Sequence, residues 1–291
     1  MRIGVNQFCW PDSFDIADAA QRAESIGFSC FEACLTAGKS VRGYGNGVTD
    51  SLDITSYYNR LLNTDSKEED YRELKKMTDD IGLPISSVGG IVSFSIFSLS
   101  SEEASVAQKA EDAVKKMIDA AHIFEADTVL VIPGILTENM RYEYAYERVQ
   151  ARIARLADYA DNVTLAVENV WNNFLYSPME LNRFVDETGK QNVGIYFDVA
   201  NARRFGYPQQ WILTMGHRIK KLHIKDYRIS VDNINSFTNI LDGDVDYPSI
   251  MKALKDIGYD GDLIVELIPP AKHMLDFTLR HAKNVLEKLI E

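Results

Sequence analysis

Eight short apolar runs, each followed by a longer segment of helical periodicity, divide this chain from end to end. The runs are RIGVNQF (2–8), FSCFEAC (28–34), PISSVGG (84–90), DTVLVIP (127–133), VTLAVEN (163–169), VGIYFD (193–198), IKKLHIK (219–225) and GDLIVEL (261–267). Strands that alternate with helices require right-handed crossovers, and these build a parallel sheet. Eight units with no shift of composition between them predict an α/β fold: one closed (β/α)8 barrel spanning residues 1–291 as a single domain. The 291 residues would by length alone allow two domains, but barrels of roughly 250 residues fold as one. An open doubly wound sheet is the structural rival. It would usually carry fewer strands and a glycine-rich phosphate turn after the first, whereas the turn here reads CWPDSF.

Two predicted helices show the period plainly. From Glu103, the residues Val106, Ala110, Ala113, Met117, Ala120 and Phe124 recur at steps of three or four, and so do Leu275, Leu279, Ala282, Leu286 and Leu289. One apolar stripe per helix is what packing against a sheet requires. Ser101 with Glu103 reads as a helix start, and Gly27, Gly82 and Gly258 read as residues just past helix ends. Two connections are long, 35–65 after the second strand and 226–245 after the seventh. In a barrel both fall on the C-terminal face, where barrel enzymes place their chemistry. The first is expected to act as a lid, with Gly43, Gly45 and Gly47 permitting motion and Tyr44, Tyr57 and Tyr58 giving apolar cover.

Composition removes several classes of function. The net charge is -12 and the Lys and Arg residues are scattered, which does not fit a nucleic-acid footprint. No run of 18 apolar residues occurs, so no transmembrane helix or other membrane partner is expected. The start MRIGVNQFCW lacks the basic and long apolar parts of a signal peptide. The three cysteines, Cys9, Cys30 and Cys34, form no disulfide framework and read as buried thiols in a reducing, cytoplasmic setting.

Acidic residues and one imidazole fall where strands end. Glu32 lies in the second strand, Glu168 in the fifth, Asp198 in the sixth, His223 in the seventh and Glu266 in the eighth. A buried carboxylate is costly unless paired or bound to metal, and three together need a cation. Any one of them could pair with a Lys or Arg. Four on consecutive strands and on one rim fit a single divalent ion, Mn2+ first, with Mg2+, Co2+ or Zn2+ as alternatives. His122, His217, His273 and His281 fall in helices or loops and read as structural or solvent residues. Glu32 reads equally well as a substrate contact or an ion-pair member. Trp10 and Trp171 read as packing residues just past strand ends. Glu168 and Glu266, three strands apart in a ring of eight, would approach the ion from nearly opposite sides.

These motifs resemble the xylose-isomerase-like TIM-barrel superfamily, in particular its sugar phosphate isomerase/epimerase branch. The likeness covers essentially the whole chain and is densest from Val163 to Leu267, in VEN, FDVAN, FGYP, RIKKLHIKD, LDGDVDYP and VEL. It implies that Glu168, Asp198, His223 and Glu266 bind one divalent metal and that the two glutamates act as acid/base groups. Asn201 stands where many relatives carry His, and Phe174 stands where ketohexose epimerases carry a substrate-contacting Glu. The extra histidines with which endonuclease IV holds three zinc ions are missing, which argues against DNA repair. HIKD followed by Arg228 resembles the branch acting on phosphorylated pentuloses. Lys225 and Arg228, with Arg203 and Arg204, are the candidate phosphate partners; the bland role for them is to balance Asp226 and the acidic rim. Glu32, Asn201, Lys225 and Arg228 make up the expected substrate contacts. The expected activity is metal-dependent isomerisation or epimerisation of a small sugar or sugar phosphate through an enediolate. Dehydration of a polyol-derived ketone of the inosose type begins with the same proton abstraction and is the second reading. A non-catalytic sugar-binding barrel is the third. A homo-oligomer is compatible with the sequence.

Overall fold

The computed structural model describes residues 1–41 and 57–291. All eight apolar runs are strands: β1 (Arg2–Asn6), β2 (Cys30–Leu35), β3 (Ile85–Gly90), β4 (Thr128–Val131), β5 (Thr164–Glu168), β6 (Val193–Asp198), β7 (Ile219–Ile224) and β10 (Asp262–Val265). They close into a parallel barrel in the order β1-β10-β7-β6-β5-β4-β3-β2. Eight helices cover the outside: α1 (Ile16–Ile26), α2 (Glu68–Asp80), α3 (Ala104–Phe124), α4 (Tyr142–Ala160), α5 (Pro178–Asp186), α7 (Pro208–Met215), α8 (Tyr247–Asp256) and α9 (Leu275–Ile290). A short helix α6 (Val199–Arg203) follows β6 directly, and a small antiparallel pair, β8 (Asp226–Tyr227) with β9 (Phe237–Thr238), forms in the connection after β7.

Every residue of β6 is buried, as expected for a parallel strand covered on both faces. The α3 stripe is broader than its sequence period: Ala107, Val114, Ile118 and Ala121 are buried beside Ala110, Ala113, Met117, Ala120 and Phe124. The helix meets α2 and α4 on its flanks as well as the barrel beneath. Gly27 and Gly258 sit just past their helices at φ 94° and 69°, a left-handed turn that favours glycine. Ser101 does not cap α3. The cap position is Glu103, and the Ser101 hydroxyl accepts from the Glu103 N–H at 3.2 Å, holding the turn before the helix. Cys9, Cys30 and Cys34 are free and buried.

Of the connection after β2, residues 57–67 are fixed to the barrel. The Tyr57 hydroxyl donates to the Trp10 carbonyl at 2.7 Å, and its ring meets Phe8 edge-on at 4.9 Å. Tyr57 is thus anchored rather than a mobile cover. Gly43, Tyr44, Gly45 and Gly47 lie outside the described residues.

The barrel closes where β1 pairs with β10, Arg2 opposite Asp262. Asp262 takes a forked pair from the Arg2 guanidinium at 2.7 and 3.0 Å and also meets the Lys221 ammonium from β7. Lys221 is only 2% exposed, and its other partner, Asp127, is 3.0 Å away at the surface. Removing Asp262 leaves the buried ammonium with only the surface carboxylate of Asp127. Asp262→Ala should therefore cost about 3 kcal/mol of stability, read from urea unfolding. The Arg2 and Lys221 partners overcome burial and hold the Asp262 carboxyl below its ordinary range. Its stabilising contribution should be full above the ordinary carboxylate pKa and fade as pH falls through the lowered one.

Candidate metal centre

β5, β6, β7 and β10 are neighbours in the barrel, and each delivers a ligand-type side chain at its C-terminal end. Asp198 stands opposite His223 in the β6–β7 register; Glu168 ends β5 and Glu266 follows β10. One ligand atom from each of Glu168, Asp198, His223 and Glu266 lies within 4.8 Å of all the others, and all four residues are buried. His223 Nδ1 lies 3.0 Å from Glu168 Oε1, 3.5 Å from Glu266 Oε2 and 3.9 Å from Asp198 Oδ2.

The apolar run of β6 ends on a carboxylate because Asp198 does two jobs. Its Oδ1 accepts from the Asn201 N–H at 2.8 Å and caps α6. Its Oδ2 turns to the cluster, where the Lys225 ammonium also reaches it. Asn169 clamps the backbone at the same point, accepting from the Asp198 N–H at 2.8 Å and donating to its carbonyl at 2.9 Å. Asn201 Nδ2 in turn donates to the Asn169 carbonyl at 3.0 Å. Two asparagines thus fix the angle of one ligand strand, and neither role was legible in the sequence.

Glu32 grips the far side of the imidazole. His223 Nε2 lies 2.9 Å from Glu32 Oε1, a contact that would keep a proton on Nε2 and free Nδ1 for a cation when the ring serves as a ligand. The Glu32 carboxylate also accepts from Asn6, from the Ser87 hydroxyl at 2.7 Å and from the Tyr196 hydroxyl. Glu32 borders the cavity but is fully buried and saturated with protein donors. Of the two roles expected of it, the ion-pair one is filled by His223.

These surroundings spread the ionisation of the site. Burial would raise Glu32, but the charge and hydrogen bond of His223 and the hydroxyls of Tyr196 and Ser87 hold it down at about 2. Burial pushes Glu168 up to about 7; His223 pulls it down, and the Glu266 and Asp198 carboxylates add to the rise. Burial also raises Asp198. Glu266 moves the other way, because the charges of His223 and Lys225 outweigh its burial. His223 is raised well above its usual value: burial opposes this, and the Glu266 and Glu32 charges prevail.

Four carboxylates, counting Glu32, face one ammonium and one imidazole at a buried site. Lys225, 4% exposed, touches both Asp198 and Glu266 and so offsets part of this charge. Three converging carboxylates and one inward ring nitrogen are a donor set for a hard or borderline divalent cation, and these residues fit one.

A cavity of about 530 Å³ opens above the cluster, bordered by Glu168, His223, Glu266, Lys225, Asn201 and Arg204. Arg228 is not on this border. The buried Asp226 accepts N–H groups from Tyr227, Leu241 and Val245 and folds the connection back on itself. Arg228 is carried outward, exposed, with its guanidinium on the Asp242 carbonyl at 3.0 Å. Arg204 takes its place at the cavity, lying 4.5 Å over the Trp171 ring and 3.1 Å from Asp232. Trp171 stacks on Phe237 at 4.8 Å, so it is a wall residue as well as a packing one.

Two outcomes follow for metal binding. Glu32→Gln should lower Mn2+ affinity by about 10- to 100-fold in calorimetry, because the ring loses the carboxylate that fixes its tautomer. Metal takes the ionised form of Glu168, whose raised pKa keeps a proton on it below pH 7. Mn2+ affinity should fall by on the order of tenfold or more per pH unit as pH drops below about 7, because the metal must displace protons from both Glu168 and His223.

The xylose isomerase-like TIM barrel model matches residues 20–284. A curated relative, the uncharacterized protein MJ1311 of Methanocaldococcus jannaschii, is 22% identical over 168 residues, 53% of this chain and 55% of that protein. The chain thus spans about half the length of the curated relative it matches. Among solved structures, a D-tagatose 3-epimerase-like protein superposes with a TM-score of 0.79 at 18% identity, over 100% of this chain and 97% of the other. An L-ribulose 3-epimerase gives 0.73 at 19%, over 99% and 94%. An IOLI protein with a binding zinc atom gives 0.78 at 15%, over 100% and 98%. At such identities these likenesses concern the fold alone. The family match takes in most of the sequence and agrees with the closed eight-stranded barrel, and the chain belongs to the xylose isomerase-like TIM-barrel family.

Proposed function

We propose that this protein is a divalent-metal-dependent isomerase or epimerase of a small sugar or sugar phosphate, working by proton transfer through an enediolate. The observation that carries the reading is the placement of Glu168 and Glu266. They stand on β5 and β10, three apart in the ring, and border one cavity on either side of His223. Fold likeness to an L-ribulose 3-epimerase and to a D-tagatose 3-epimerase-like protein supports the same reading.

Glu168, Asp198, His223 and Glu266 would hold one divalent ion, Mn2+ in the first instance, with Mg2+, Co2+ or Zn2+ as alternatives. When bound, the ion supplies Lewis-acid polarisation of a carbonyl and a template for the neighbouring hydroxyl. Proton movement belongs to the side chains. One glutamate removes the proton from the carbon beside the carbonyl. The other, itself protonated, delivers a proton to the opposite face of the planar enediolate, which inverts the centre. A 1,2-isomerase moving its proton along one face would need only one of the two. Their environments already push them apart, Glu168 up and Glu266 down, as suits an acid and a base sharing one site. Arg204 and Lys225 are the cations a phosphate would meet at this cavity.

Glu168→Gln and Glu266→Gln keep the shape and one oxygen. Each should lose about 10²–10⁴-fold in turnover while retaining metal. In heavy water the wild type should place deuterium at the inverted carbon. One variant should still exchange the proton of a single epimer without forming the other. If both variants merely lose metal, and added Mn2+ restores full rates, the glutamates are ligands alone.

A further inference from the structure

We infer that the substrate is amphiphilic: a ketose whose far end, away from the carbonyl, carries an apolar group such as a terminal methyl in place of a hydroxyl. The placement of the carbonyl rests on the isomerase reading. The character of the far end rests on the cavity wall.

The mouth of the barrel is divided in two. The ligand quartet and Lys225 come from β5, β6, β7 and β10 and the residues just after them. Directly across the ring, β3 stands opposite β7 and β4 opposite β10. From these two strands and the turns that follow them the cavity receives Gly89, Gly90, Phe94, Leu130, Ile132 and Ile135, together with Ile91. Among the described residues, no lining side chain from β3, β4 and the turns after them can donate or accept a hydrogen bond; the polar lining beside this sector, Asn6, Glu32 and Cys34, comes from β1 and β2.

The wall is also continuous. Phe94 and Val170 pack on Leu130 and Ile132, which belong to one small buried cluster with Ala166 and Tyr196. Backbone groups beside it are already committed. The Ile135 N–H lies 3.2 and 3.1 Å from the Ser98 and Ser100 hydroxyls, and the Gly134 carbonyl accepts from Asn172 at 2.7 Å. Gly134 itself, at φ 87°, has no room for a Cβ, which would lie 2.6 Å from the Ser100 nitrogen. The turn that carries Ile132 and Ile135 is thereby set.

A polyol reaching from the quartet to this wall would press a hydroxyl against carbon. That hydroxyl would give up water and gain no partner, whereas a methyl in its place would be favoured. The polar groups Asn201 and Arg204 lie after β6, on the quartet's side, so a phosphate too would be met there and not at the wall.

Calorimetric titration of the Mn2+-loaded protein, with ketohexoses and their 6-deoxy counterparts matched in configuration, reads binding without requiring turnover. In the tightest-binding pair the deoxy sugar should bind about tenfold or more tightly, the scale on which an apolar pocket discriminates one small group. Ile132→Thr and Val170→Thr should each narrow that ratio several-fold with Mn2+ content unchanged. Equal or weaker binding of every deoxy sugar, preference for a ketohexose 6-phosphate, or no binding by either class would overturn the inference. Proton exchange in heavy water, followed on the same sugars, separates the two ideas. Deoxy sugars that bind by preference yet exchange no proton uphold the apolar wall and refute the isomerase reading. Turnover of plain ketohexoses with no deoxy preference does the reverse.

Discussion

Carboxylates crowded round one imidazole at a buried site set the terms for the rest of this molecule. Glu32, Glu168, Asp198 and Glu266 repel one another, and burial adds to the cost of charging each. Such a cluster survives only if its backbone is held by something stiffer than the repulsion. A closed parallel barrel provides that. Every strand is hydrogen-bonded on both sides, so no one strand can swing outward to relieve the strain. The Arg2–Asp262–Lys221 group ties the closing strands at the opposite end from the site, where it can stabilise without disturbing the chemistry.

The surrounding residues then decide which charges remain. Lys225 offsets part of the excess from within the cluster. Asn169 and Asn201 fix Asp198 without adding charge, and Glu32 fixes the tautomer of His223 at the cost of one more carboxylate. The outcome is uneven. Burial raises Glu168, whereas the charges of His223 and Lys225 lower Glu266. A symmetrical arrangement of the same side chains would not separate an acid from a base.

The other half of the barrel mouth carries no charge in its lining from β3 and β4, and this contrast gives the cavity a direction. Phe174 is buried among Tyr142, Tyr146 and Phe184, off the border of this cavity.

The sequence by itself determined the repeating strand–helix unit, and with it the barrel, because both rest on local periods that neighbouring residues enforce. It also determined which four strand ends carry ligand atoms, since consecutive parallel strands must bring their C-terminal ends to one rim. Tertiary structure alone decided what depends on closure. Glu32 reaches a histidine 191 residues away only because closure of the ring brings β2 within three strands of β7. Arg228 turns outward and Arg204 inward because Asp226 gathers the backbone of a long connection. The apolar wall takes its place because closure sets β3 across from β7 and β4 across from β10. A short-range pattern fixes where each side chain leaves its own strand, but which side chain it meets is set by the geometry of the closed ring.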